Sequence, residues 1–150
     1  MEDPRPKMQD ALKQAMISKD TIRRDVLRMT LSAFKQVEID ERRELSPEDT
    51  VTILQREIKK RRDSVDEAHK AGREDIAGSE ASELVMLEGF LPQQLTRDEI
   101  AVLVRAAIQQ SGAASAKDMG KVMGVLMPQV KGKADGKLVN EVVRDLLNNA

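Results

Sequence analysis

The residues best placed to do chemistry lie near the C-terminus, where Lys131-Gly132-Lys133-Ala134-Asp135-Gly136-Lys137 separates two stretches of helical apolar spacing. Asp135 is suited to cap a following helix. Free amides, the positive end of a helix dipole and three lysines then converge, which favours an anion such as a phosphodiester. Gly132 and Gly136 let a ligand approach the backbone. The same residues also fit an ordinary solvated turn, with Lys for solubility and Gly for geometry, and at this level both readings stand. A Walker loop does not fit: the stretch from Gly132 to Gly136-Lys137 is one residue short, no Ser or Thr follows, and a helix rather than a strand precedes it.

Lys117 and Lys121 stand one helical turn apart just upstream and extend the positive strip if they share a solvent face. Lys59, Lys60, Arg61 and Arg62, with Arg56, form a secondary basic patch, and Arg23, Arg24 and Arg28 form another. Either could touch a phosphate backbone without reading sequence. Glu57, Asp63, Asp66, Glu38 and Glu41 are interspersed among them, which favours salt-bridged helix surfaces.

No catalytic constellation stands out: there is no nucleophile elbow, no Gly-rich Ser–Ser–Lys amidase signature and no metal-binding His pair. The chain has no Cys, hence no thiol nucleophile, Cys-ligated zinc or disulfide framework. His69, the single histidine, lies in a charged stretch and reads as a surface residue. Acid pairs such as Glu48-Asp49 and Asp98-Glu99 sit at expected helix starts, where capping explains them. The expectation is therefore no catalytic residues, no metal and no cofactor. Two Phe and no Tyr or Trp also argue against base stacking on aromatic faces.

The elements that must position these residues are helices. Met8, Leu12, Ala15 and Met16 recur at helical spacing, and Ser18-Lys19-Asp20 offers a turn and a cap. A second helix carries Ile22, Val26, Leu27, Phe34 and Val37 on one side. Ser46-Pro47-Glu48-Asp49 starts a long third helix with stripe Val51, Leu54, Ile58 and Val65, ended by Gly72 in the left-handed conformation. A fourth runs from about Asp75 through Leu84, Leu87 and Leu91 to Pro92. Thr96-Arg97-Asp98-Glu99 then supplies a capping box for a new unit, with helices expected at 97–110, 116–127 and 136–148. Met119, Met123 and Met127 fit a core stripe or, alternatively, an adaptable docking face. The fold class is all-α: a four-helix domain over 1–92, a hinge at 93–95 and a three-helix tail over 96–150.

With 150 residues, 40% apolar and 34% charged, the chain can bury a core beneath a mixed-sign surface. The net charge is only −1, so affinity for nucleic acid must come from local patches. Residues 96–150 carry 8 Lys and Arg against 6 Asp and Glu, whereas residues 1–95 carry 17 against 20. The tail is the basic part. The opening Met1-Glu2-Asp3-Pro4-Arg5-Pro6 lacks a signal-peptide pattern and no apolar run approaches a membrane span, so the expected location is cytoplasmic, with no membrane partner.

Lys117-Asp118-Met119-Gly120-Lys121-Val122-Met123-Gly124 and Lys131-Gly132-Lys133-Ala134-Asp135-Gly136-Lys137-Leu138-Val139-Asn140 resemble the YqeY family. So do Phe90-Leu91-Pro92-Gln93-Gln94-Leu95 and Lys59-Lys60-Arg61-Arg62-Asp63-Ser64, and the likeness runs nearly end to end. The family shares this tail with the B subunit of the tRNA-dependent Asp/Glu amidotransferase, GatB. The resemblance implies a helical domain followed by a three-helix tail, and an RNA-backbone role for Lys117, Lys121, Lys131, Lys133 and Lys137. The chain has no counterpart of the catalytic region of GatB. The expected function is thus a non-catalytic accessory module holding tRNA or another structured RNA by its phosphate backbone. The alternatives are an adaptor docking onto an amidotransferase or other protein, and a carbon–nitrogen ligase with glutamine as amide donor.

Overall fold

A computed structural model describes residues 1–149. It is built of helices α1 (Arg5–Ser18), α2 (Thr21–Glu41), α3 (Pro47–Lys70), α4 (Glu74–Glu88), α5 (Arg97–Ser111), α6 (Met119–Val130) and α7 (Gly136–Asn148), with one 3-10 turn at Ala116–Asp118. No strand occurs among the described residues. The chain separates into two compact units, Met1–Pro92 and Gln93–Ala150.

In the first unit, α1 packs on α2 and α3 on α4. The elements begin and end for local reasons. Lys19, in the left-handed conformation at φ 60°, closes α1, and Asp20 caps α2 by accepting from the Arg23 N–H. Ser46 and Asp49 form a reciprocal capping box at the start of α3, behind Pro47 in the first turn. Gly72 turns the chain after α3 with φ +71°, where a side chain would strain the backbone. Met8, Val26, Leu27, Phe34, Leu54 and Leu87 form the main core, and Val65, Ala68 and Ala77 a smaller cluster between α3 and α4.

Two expectations for this unit need correction. Met16 and Ile22 have the spacing of a buried stripe yet are 51% and 63% exposed, because Met8, Ala15, Val26 and Leu27 already fill the interface. The fourth helix ends at Glu88 with Gly89 as its cap, short of Pro92. Phe90 and Leu91 donate to Leu87 and Glu88 three residues back, so the helix tightens and stops before proline can interrupt it.

The second unit is built on a valine-rich core of Val104, Val122, Val130, Val139, Val142 and Val143, completed by Ile100, Leu126 and Leu147. Helix α5 packs against both α6 and α7 and is the scaffold of the unit. Thr96 and Glu99 form its capping box, and Gly112 ends it in the left-handed region at φ +71°. The expected helix over 116–127 is in fact a 3-10 turn leading into α6, which continues through Pro128 to Val130. Pro128 removes only the donor to the carbonyl of Gly124, an exposed residue that water can reach. Helix α7 spans Gly136–Asn148, as its spacing predicts.

Candidate nucleic-acid interface

The basic turn is hydrogen-bonded along its backbone, and its lysines are exposed. The Lys131 N–H donates to the Met127 carbonyl at 3.0 Å, and the Lys133 and Ala134 N–H groups donate to the Val130 carbonyl at 2.9 and 3.1 Å. Gly132 adopts φ +78° and is buried, an unusual setting for a turn residue and one that a side chain would strain. The cover comes from the start of the same unit: the Gln94 side-chain amide donates to the Gly132 carbonyl at 3.2 Å, and the Leu95 N–H to the Lys133 carbonyl at 2.7 Å. Lys131, Lys133 and Lys137 are exposed.

Asp135 caps α7, its side chain accepting from the Lys137 N–H at 3.2 Å and its carbonyl from the Val139 N–H at 3.0 Å. That carboxylate already occupies the place an external anion would take at the helix end. Any anion affinity of the segment therefore rests on the lysine side chains more than on free amides. The sequence brings an Asp135 cap, free amides and three lysines together; the geometry supplies that capped helix, with exposed lysines on either side of the cap.

Lys117 lies in the 3-10 turn and Lys121 in the first turn of α6, so the pair spans the join of the two elements rather than one α-helix. Lys121 stands 3.7 Å from Asp118, and both lysines are exposed. The Ala114 N–H, donating to Asp118 at 2.9 Å, holds that carboxyl below the usual carboxylate range, against a desolvation that pushes it up. At about 1.5 Å per residue, Lys121 and Lys131 are separated by roughly 15 Å along α6. The candidate cations therefore form two groups, one at each end of that helix.

The secondary patch on α3 is engaged differently. Arg61 pairs with Glu83 of α4 and donates to the Met29 sulfur at 3.7 Å; Arg62 pairs with Glu88 at 3.6 Å and Lys60 with Glu57 at 3.2 Å. Lys59 is exposed. On α2, Arg24 pairs with Asp25 at 2.9 Å and Arg28 donates to the Met16 sulfur at 3.8 Å. The His69 Nδ1 lies 2.8 Å from a carboxylate oxygen of Glu74, at the junction of α3 and α4. Met119 and Met123 are partly buried against the second core, and Met127 is 41% exposed. Sequence reasoning misses Gln94, which carries no charge and lies in what reads as a linker.

An open depression in the first unit, lined by Lys35, Glu38, Ile39, Arg42, Arg43 and Glu44, mixes both signs of charge and contains none of the candidate residues. Among the described residues no group of His, Asp and Glu has the arrangement to hold a metal ion. None of the described helices is long and apolar enough to cross a membrane.

Fold and site together define an all-helical protein whose C-terminal unit presents lysines from a strapped turn ahead of its last helix. The chain belongs to the YqeY family, whose model, described as Yqey-like protein, matches residues 5–147. It is 28% identical over 147 residues to the protein named altered inheritance of mitochondria protein 41, mitochondrial, of Pyrenophora tritici-repentis, covering 95% of this chain and 80% of that protein. The proteins of the same name from Vanderwaltozyma polyspora and Kluyveromyces lactis are 38% and 36% identical over 81 and 80 residues. Those matches cover 53% of this chain in each case, and 44% and 43% of the two relatives. These names overturn the cytoplasmic expectation, because every one of these relatives is called mitochondrial.

Proposed function

We propose that the protein is a non-catalytic accessory module that holds tRNA or another structured RNA by its phosphate backbone, through the three-helix tail. The observation that carries this reading is Lys137. It lies in the first turn of α7, where a cation opposes the helix dipole by about 0.3–1 kcal/mol. A lysine there works against the helix it starts, and it stands beside Lys131 and Lys133 on a backbone that hydrogen bonds hold in place. Lys117 and Lys121 supply a second contact group at the far end of α6. The scarcity of aromatic residues fits recognition by shape and charge.

Filter binding of bulk tRNA at two salt concentrations tests the proposal. Affinity should fall linearly on a log–log plot against salt. Replacing two phosphate-contacting lysines, Lys133→Glu with Lys137→Glu, should weaken binding at least ~tenfold and lower the salt slope by about 2. Unchanged affinity in that double variant would remove these lysines from the interface. The adaptor reading draws on the exposed Met127 and Val102 of the same unit; capture of an amidotransferase-type protein that persists after nuclease treatment would favour it over RNA binding.

A further inference from the structure

We infer that residues 93–95 act as a strap on the basic turn, and that Gln94 is a positioning residue for Lys133. The inference rests on the RNA-binding reading for its affinity test and on hydrogen bonding alone for its structural one.

A lysine-rich turn that follows a helix and contains a left-handed glycine has several soft torsions, and ordering it on a ligand would cost binding energy. Here the backbone of Lys133 is engaged on both sides. Its N–H donates to Val130 at 2.9 Å and its carbonyl accepts from Leu95 at 2.7 Å. The carbonyl just before it, on Gly132, accepts from Gln94 at 3.2 Å. Two consecutive carbonyls of the turn thus face the same three-residue segment, and Gly132 and Ala134 are buried although the lysines between and beside them are exposed.

The segment itself is anchored. Leu95 packs against the core of the unit, and Thr96 follows directly as the cap of α5. The strap therefore joins the scaffold helix to the turn: α5 fixes Thr96, Leu95 and Gln94 follow, and their donors fix Gly132 and Lys133. What reads in the sequence as a linker is part of the frame that aims Lys133. Gln94 itself need not touch RNA, and its effect should pass through Lys133.

Two measurements test this. First, Gln94→Leu keeps the bulk of the side chain and removes its donor; amide hydrogen exchange of Leu95, whose N–H bonds to Lys133, should speed up at least several-fold in the intact chain. Unchanged protection of that amide would show that the Leu95 bond holds without the Gln94 side chain, and overturns the part given to Gln94. Second, a double-mutant cycle with tRNA compares Gln94→Leu, Lys133→Ala and their combination. Each single variant should lose at least threefold in affinity, and the combination should lose little more than the larger of the two. Full additivity overturns the positioning role, since Gln94 would then act independently of Lys133. If Lys133→Ala leaves affinity unchanged, it is the RNA reading of Lys133 that falls, and the exchange measurement still decides the part of Gln94 in holding the turn.

Discussion

The two basic regions of this protein meet opposite fates. On α3, cations are paired: the half-buried Arg61 and the more exposed Arg62 reach carboxylates on α4, and the exposed Lys60 reaches Glu57 one turn back. In the tail, Lys117, Lys133 and Lys137 project from backbone that is itself hydrogen-bonded, and Lys121 has only a 3.7 Å approach to Asp118. Both stretches are rich in cations. What separates them is the element packed alongside. Helix α4 presents Glu83 and Glu88 to α3, whereas the helices around the basic turn contribute a valine core and a cap. Whether a run of Lys and Arg is paired across helices depends on the carboxylates that the neighbouring helix supplies.

The largest effect that tests this contrast is on stability. Arg61 and Glu83 have side chains only 16% and 20% exposed, so removing one partner leaves the other charge partly buried and uncompensated. Arg61→Ala should lower unfolding free energy by about 1–3 kcal/mol, whereas Lys133→Ala should stay within about 0.5 kcal/mol. Urea unfolding of the two variants compares them directly. Equal losses would erase the distinction between a structural and a projecting cation.

A smaller effect appears on acidification. The Arg43 guanidinium, donating to Asp49, lowers its pKa to about 2, and the Ser46 N–H and hydroxyl pull the same way. The unfolded carboxyl titrates near 3.9. The stability from this cap is therefore fully present above about pH 4, declines as the unfolded chain takes up a proton that the folded one refuses, and is gone below about pH 2. Asp49→Asn should flatten stability against pH across that window while leaving the tail lysines charged. If the slope between pH 4 and 2 is unchanged in Asp49→Asn, the Arg43 contact does not hold in solution.

Helix caps were the most legible part of the sequence, because Ser46-Pro47, Thr96 through Glu99, Gly72 and Asp135 each answer a local backbone requirement. The all-α class and the span of α7 followed from periodicity for the same reason. Less legible was anything decided by packing between helices. The exposure of Ile22 depends on which neighbours already fill the interface, and the pairing of Arg61 with Glu83 joins residues 22 apart in sequence. Helix α6 ran on through Pro128 because the one donor it lacks concerns an exposed carbonyl, a circumstance that proline alone does not reveal. The cationic side chains of the site were visible as residue types. The Asp135 cap, a local contact, was visible too; the bonds that Gln94 and Leu95 make to the turn were not, since they depend on where the chain returns.

The smallest effect is the most discriminating. Lys137→Glu replaces a cation that opposes the α7 dipole with an anion that complements it, next to a cap that Asp135 already provides. If Lys137 is present for the fold, this change should destabilise the tail. If it is present for a polyanion, the variant should be more stable by about 0.3–1 kcal/mol, with the like charge of Asp135 pulling the gain toward the lower figure. Over the same change tRNA affinity should fall, with a salt slope lower by about 1. A residue whose replacement strengthens the helix and weakens binding is under a functional constraint that stability opposes. Thermal unfolding and filter binding on this single variant measure both sides, and a loss on both would return Lys137 to the same structural class as Arg61.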